Sequence, residues 1–413
     1  MQESEYSDRG VDMTNAVFRN DVGVRNPFAV AEIKLGKTID WQKTSPGEKR
    51  KIIERAFGAS YNEIFNPSHS NPAFLYPVKS GSGDAKLCDA AVLKSYISKW
   101  GPNPWGNTYS DESYGTFGDP VQGALSDCYF MAALSSLAFA SSTKSKFPRI
   151  AGSSFDITFY DNFSTDAGGV SKATSSSTVR VSNDHFPLQS NGNLVFARSN
   201  TKEEIWPAIY EKAYAEWKSG GTTTEPDYSK ICQGNPVTAL ANLTNWKFST
   251  ASVFETKTFA TTPAAIYDTI AKACNIAPII YPNDRATKWP VVAFTYDSSL
   301  LGYSNATIVR NHSYSVLGVQ KSGTDRYIVL RNPWGQVPPS VIVDPALLNK
   351  NRCVLDAQGD PVICYGDPNL GTDVLSTRPW MTISDLSSPD DGIFGLHVTA
   401  FQKYFQGFGW VFS

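Results

Sequence analysis

Two runs in the second half of the chain, HSYSVLGV from His312 and RYIVLR ending at Arg331, are separated by little more than KSGTD. Both are rich in β-branched and aromatic residues, and a short glycine-containing connection closes such runs into an antiparallel hairpin. In a hairpin the numbers of opposed residues have a constant sum. Centring on residue 322 or 323 sets His312 opposite residues 332 to 334, within reach of Asn332. A slip of one residue would turn the two side chains to opposite faces. An asparagine carbonyl accepts from an imidazole N–H and holds the ring's orientation. Pro333 fixes the turn that follows, and Trp334 is set to cover the bond from water.

A pair of this kind is useful only beside a nucleophile. QGALSDCYFM at 122–131 supplies one. Phe130, Met131, Ala132, Ala133, Leu134, Leu137 and Ala138 follow without a helix breaker, and Ser126 or Asp127 can cap the start. Cys128 then lies in the first helical turn, where free N–H groups and the helix dipole favour a thiolate and lower the thiol pKa. The chain has four histidines, His69, His185, His312 and His397. His69 falls in a polar loop, His185 in a turn and His397 on a strand near the end. His312, with Asn332 as orienter, is the candidate base. Gln122, six residues before the cysteine, must pass the helix start. Its amide and the Cys128 N–H can together form an oxyanion hole.

The 413 residues suggest two or three packed lobes. Hydrophobic content of 41% and charged content of 18% describe a folded chain. A net charge of −2 lacks the basic excess that nucleic-acid binding requires. No apolar run is long enough to span a bilayer, and the first twenty residues have no apolar core of a signal peptide. Six cysteines include no C-x-x-C pair, which argues against structural zinc. If Cys128 stays free, the other five cannot all pair, so the redox compartment is left open. Four N-x-S/T sequons, at Asn162, Asn242, Asn305 and Asn311, lean towards an extracellular protein. A glycan on Asn311 would obstruct His312, which points to an unmodified site or another compartment.

Along the chain, residues 1 to about 44 are polar and weakly patterned. SPGEKRKIIERAFGASYNEIF reads as a helix with a Ser45/Glu48 capping box, Pro46 in the first turn and a stripe of Ile53, Phe57, Tyr61 and Ile64. VKSGSGD at 78–84 reads as a linker, and KLCDAAVLKSYISKW as a short helix. DITFY, TVRVS and LVFA read as short strands, then EEIWPAIYEKAYAEW as a helix, with strand-like runs after residue 245.

QGALSDCYFMAALSSLA resembles the active-site segment of calpain-type, papain-like cysteine proteases, NHSYSVLGV their histidine strand and RNPWG their asparagine turn. NDHFPLQSNGNLVFARSNTKEEIWPAIYEKAYAEW and DDGIFGLHVTAFQKYF are similar to further stretches of that core. The resemblance runs from about residue 100 to the C-terminus. It implies an α+β, two-lobed papain-like fold: an N-terminal extension over 1–99, a helical lobe over 100–245 with Gln122 and Cys128, and a β-rich lobe over 246–413 with His312 and Asn332. It implies a cysteine endopeptidase that cleaves protein substrates to a limited extent through an acyl-enzyme, with Trp334, Asp127 and Tyr129 in supporting positions. Tyr129 stands where the family has Trp, and Ser126 where it has Gly.

Asp119 and Asp391 match calcium ligands of the family, but Ser229, Pro338 and Ile393 replace acidic partners. Calcium needs about 6–8 oxygen ligands, so we expect no cofactor for the chemistry and no tight calcium requirement. The family's β-sandwich and EF-hand modules are not expected in this chain. Residues 1 to about 95 are the expected intramolecular restraint, as a prosegment or clamp. Two rival readings are a catalytically silent binding module and a thiol acyltransferase of transglutaminase type, which would pair Cys and His with Asp rather than Asn.

Overall fold

The computed structural model describes residues 21–61, 64, 88–105, 116–140, 143, 154–200, 204–221, 223–249, 253–255, 262–274, 287–296, 308–322, 325–336, 353–355, 361–364 and 392–413. The expected linker at 78–84, His69, Asn305, Pro338 and Asp391 lie outside these residues.

Helix α1 (Pro27–Leu35) starts where Asn26 accepts from the Phe28 N–H and ends at Gly36 in the left-handed region. Helix α2 (Pro46–Phe57) carries the expected capping box of Ser45 and Glu48. It ends at Gly58 in the left-handed region, short of the expected stretch, so the buried Ile53 and Phe57 lie on it and the buried Tyr61 and Ile64 lie beyond it. Helix α3 (Ala90–Ser95) is capped by Asp89. After strands β1 (Lys99–Gly101) and β2 (Pro120–Val121) comes α4 (Cys128–Phe139), in which every residue is buried. A helix with apolar groups all round has no solvent face and belongs inside the molecule.

Strands β3 (Ser154–Thr165) and β4 (Val170–Ser182) form one long hairpin, well beyond the short runs DITFY and TVRVS. Strands β5 (Phe186–Leu188) and β6 (Arg198–Ser199) flank LVFA, which is not the strand expected from its composition. The Val195 N–H bonds to Pro187 O while its carbonyl takes the Ala124 N–H. The segment therefore bridges two neighbours instead of pairing along one. Helix α5 (Trp206–Lys218) begins at Trp206, with Pro207 in its first turn. A 3₁₀ turn (Tyr228–Ile231), α6 (Pro236–Thr244) and strand β7 (Phe248–Ser249), which pairs with β4, follow.

The rest is dominated by one sheet. It contains β8 (Val253–Glu255), β9 (Val291–Thr295), β10 (Ser313–Ser322), β11 (Asp325–Arg331), β12 (Cys353–Leu355), β13 (Pro361–Cys364), β14 (Ile393–His397) and β15 (Phe405–Trp410). Their order is β12-β13-β14-β11-β10-β9-β15-β8. Helices α7 (Pro263–Ala273) and α8 (Val398–Tyr404) pack on it through Ile266, Ile270 and Phe401. The β10–β11 ladder pairs Ser315 with Arg331 and Ser322 with Asp325, with a bulge between Val316 and Gly318. Most of KSGTD is thus strand, and only residues 323 and 324 connect the two arms. Paired residue numbers sum to 647 next to the turn and to 646 beyond the bulge, so the part of the ladder leading to His312 is centred on 323 and not on 322.

Helix α4 docks on this sheet by polar pegs as well as by apolar packing. The Ser315 hydroxyl donates to Ala132 O at 2.8 Å and the Ser136 hydroxyl to Val291 O at 2.7 Å. The buried Arg331 guanidinium donates to Pro120 O at 2.9 Å and Gly118 O at 2.6 Å. A main body of buried residues surrounds α4, α5 and α6 and includes Phe28, Val30, Ile53 and Phe57 from the first two helices.

Cys88 and Cys232 form a disulfide across a sequence separation of 144. Among the described residues Cys128 and Cys274 are free and buried. A cross-link over so long a loop restricts the unfolded chain strongly. Cys88→Ser is expected to cost about 2–5 kcal/mol in chemical denaturation under non-reducing conditions. Equal stability of the variant and the parent would show that the bridge adds nothing to the fold.

Candidate active site

The sequence of α4 puts Cys128 at its first turn. Neither Ser126 nor Asp127 supplies the expected cap: Asp127 holds the N-cap position without a side-chain cap bond. Asp127 is instead buried against Glu211 of α5. Glu211 takes the Ala197 N–H on both oxygens at 3.0 Å. Burial pushes the Asp127 carboxyl up to about 7, and burial together with the Asp127 charge pushes Glu211 up as well. Burial and like charge both favour the protonated form of these carboxyls.

His312 stands at the entry of β10. Its N–H donates to the Thr295 hydroxyl at 3.0 Å, and its carbonyl takes the Thr295 N–H at 2.9 Å. Its ring Nε2 lies 2.9 Å from Asn332 Oδ1. That oxygen also accepts the Trp334 N–H at 3.0 Å. The Trp334 ring sits with its centroid 4.9 Å from the imidazole, and Tyr314 meets the imidazole edge-on at 4.9 Å. His312, Asn332 and Trp334 are all buried. The Gln122 N–H donates to Pro333 O at 2.8 Å, which ties the glutamine loop to the asparagine turn. Tyr129 donates to Ile231 O at 3.0 Å and braces the facing wall.

The thiol does not have the environment expected of a helix start. Burial pushes it up to about 12, against the pull of the Val24 and Ser313 N–H groups. Burial likewise lowers His312 to about 3, against the pull of Asn332. The imidazole Nδ1 is buried and makes no hydrogen bond. Cys128 and His312 are therefore both neutral here.

The cause is a segment of the N-terminal extension whose residues the sequence did not single out. Residues Val22 to Asn26 run through the space beside the thiol. Val22 and Gly234 exchange N–H···O bonds of 3.0 and 3.1 Å. The Asn311 amide donates to Gly23 O at 3.4 Å. The Gln122 amide, expected to await an oxyanion, donates to Val24 O at 2.5 Å and Leu125 O at 2.6 Å. Asn26 donates to Gln122 O at 2.6 Å. Beyond it, Phe28 packs on Trp334 with centroids 6.4 Å apart, and Glu32 pairs with Arg198 at 2.7 Å.

Asp119 lies apart from this cluster. Its carboxylate accepts the Thr116 N–H at 2.6 Å and the Trp206 indole N–H at 3.0 Å. Ser229 belongs to the 3₁₀ turn and its N–H is held by Asp227, while Ile393 is buried in β14.

A family profile described as "Calpain family cysteine protease" matches residues 109–338. A thiol protease of Porphyromonas gingivalis is 24% identical over 310 residues, covering 69% of this chain and 53% of that protein. The calpain-2 catalytic subunit of Rattus norvegicus is 28% identical over 229 residues, covering 53% of this chain and 28% of that protein. Calpain-8 of Mus musculus is 28% identical over 228 residues, with the same coverage. The matches span about half the length of the bacterial relative and little more than a quarter of the calpains. The α+β fold and the profile match make this a chain of the cysteine-type peptidase class. Within that class it belongs to the calpain family.

The Asp127–Glu211 pair yields a pH test. Its carboxyls bind protons more tightly folded than unfolded. Their contribution is fully present below the ordinary Asp value of 3.8 and is lost as pH rises through about 7. Asp127→Asn is expected to flatten that loss, read as urea midpoints between about pH 5 and 8. A variant that loses as much stability as the parent over this range would contradict the raised Asp127 carboxyl.

Proposed function

We infer that the protein is a cysteine endopeptidase of calpain type. The observation that carries this reading is the His312–Asn332 bond of 2.9 Å, next to Ser313, whose N–H faces the thiol at the start of α4. In the proposed mechanism Cys128 gives its proton to His312, and the thiolate attacks a peptide carbonyl. The developing oxyanion is held by the Gln122 amide and the Cys128 N–H. His312 returns the proton to the leaving amine as the C–N bond breaks. Water, deprotonated by His312, then hydrolyses the thioester and regenerates the thiol. Asn332 keeps the ring aligned, and Trp334 keeps water from that bond.

The proposed arrangement is the two-lobed papain-like one, with a helical lobe over 100–245, a β-rich lobe over 246–413 and substrate between them. Residues 1–99 act as an intramolecular restraint, a reading supported by the Val22–Asn26 segment over Cys128 and the docking of α1 on Trp334. Substrates are protein segments that can enter in extended form. No calcium is required for the chemistry, a reading supported by the hydrogen-bonded state of Asp119. The disulfide supports an oxidising, extracellular setting. The Asn311 amide, buried on Gly23 O, supports a sequon that stays unmodified. An asparagine at position 332, in place of an acid, favours hydrolysis over acyl transfer.

The test is peptide hydrolysis by the full chain and its variants. Cys128→Ala and His312→Ala are expected to reduce turnover to background. Gln122→Ala is expected to lower kcat by about 10²–10³-fold. Turnover that survives Cys128→Ala would end the proposal.

A further inference from the structure

The Val22–Asn26 segment is a peptide already seated beside the candidate nucleophile, so its fit reports what the cleft admits. At Gly23 the fit leaves no space. A Cβ built there would lie inside any allowed contact with Ser126 O, 2.8 Å from Gln233 Cγ and 3.0 Å from Gln233 Cα. Real Cβ atoms do not approach so closely, and two of the three obstacles are backbone atoms. These two residues are locked together, because the Gln233 N–H donates to Ser126 O at 2.8 Å. Gln233 itself holds a left-handed φ of 63°. Cys232 is fixed by the disulfide, Gly234 by its paired bonds to Val22, and Tyr129 by its bond to Ile231 O. A Cβ on Gly234 would meet the Tyr129 ring at 2.5 Å, so the wall is packed on its far side too. It cannot easily retreat.

Register adds the second observation. Gly23 falls between Val22, paired with Gly234, and Val24, whose N–H faces the Cys128 thiol. The Gly23–Val24 peptide is therefore the one at the nucleophile. We propose that Ser126 and Gln233 are specificity-determining residues that restrict this cleft to extended peptides with glycine at the position occupied here by Gly23. The inference rests on reading the cleft as a peptidase site and names its substrate class: glycine-containing, flexible segments flanked by aliphatic residues such as Val22 and Val24.

The test reads access to the thiol, not turnover. Iodoacetamide labelling of Cys128, mapped by mass spectrometry, is measured on the full chain. The wild-type thiol is buried and is expected to label slowly. Gly23→Ala cannot keep its segment in place, and labelling is expected to rise at least about tenfold. Adding Gln233→Gly removes the Cγ obstacle at a φ that glycine adopts freely, and is expected to reverse part of that rise.

The peptide NDVGVRNP, added to Gly23→Ala, is expected to slow labelling, while NDVAVRNP at equal concentration does not. Should Gly23→Ala fail to fold, Val22→Asp opens the same segment by placing a charge at a buried position, and the two peptides are compared on it. Equal protection by both peptides, or labelling unchanged in Gly23→Ala, overturns the proposal and leaves the peptidase reading standing. Glycine-selective protection in a chain without hydrolytic activity has the opposite meaning: the site selects glycine, and the peptidase reading fails.

Discussion

Everything in the site depends on how one apolar helix is held against one sheet. Helix α4 has no polar face to orient it, so hydrophobic burial alone would leave its rotation and depth poorly fixed. Orientation comes from a few directed bonds: the Ser315 and Ser136 hydroxyls to backbone carbonyls, and Arg331 to the Gly118 and Pro120 carbonyls. A buried guanidinium is held only if its donors are satisfied, and here two backbone carbonyls accept from it. Arg331 ends β11 and precedes Asn332, while Ser315 lies three residues after His312. The Ser315 bond to α4, and the Arg331 bonds to the segment that leads into it, therefore come from the same hairpin that holds the imidazole and its orienter, while Ser136 ties α4 to β9.

Against that frame, the Val22–Asn26 segment sets the ionisation of the site. A helix N-terminus favours a thiolate only where the charge keeps some solvation. Here burial wins, and the thiol is pushed up to about 12 while His312 falls to about 3. Both shifts favour neutral groups, so an ion pair at the site requires water or substrate where the segment now lies. The same oxygen and nitrogen atoms that would serve a substrate are engaged: the Gln122 amide by Val24 O and Leu125 O, and the Gly234 backbone by Val22.

The features most legible in the sequence were the local ones. The capping box at Ser45 and Glu48 needs only four residues, and the His312–Asn332 meeting needs only one hairpin and its sum of residue numbers. The bulge at Val316/Gly318 could not be read, because glycine in a strand signals a bulge without fixing its register. LVFA has strand composition, but its backbone is taken by Pro187 and Ala124, a tertiary contact that composition does not encode. The Cys88–Cys232 bridge spans 144 residues, and spacing alone does not choose partners. Val22–Asn26 was least legible of all. VGVRN has no periodicity, and its place follows from walls at Ser126, Gln233 and Asn311 that come from three distant parts of the chain. The thiol's shift, opposite to the one expected of a helix start, is a direct result of that contact.

The segment is anchored on both sides of the thiol, by the Val22–Gly234 pairing before it and by α1 docked on Trp334 after it. A ligand tethered so closely competes at an effective concentration on the order of millimolar, however weak its individual contacts are. A free peptide making the same contacts would have to reach about that concentration to displace half of it. Occupancy of the cleft is therefore governed less by the affinity of the five residues than by the length and attachment of the chain that carries them.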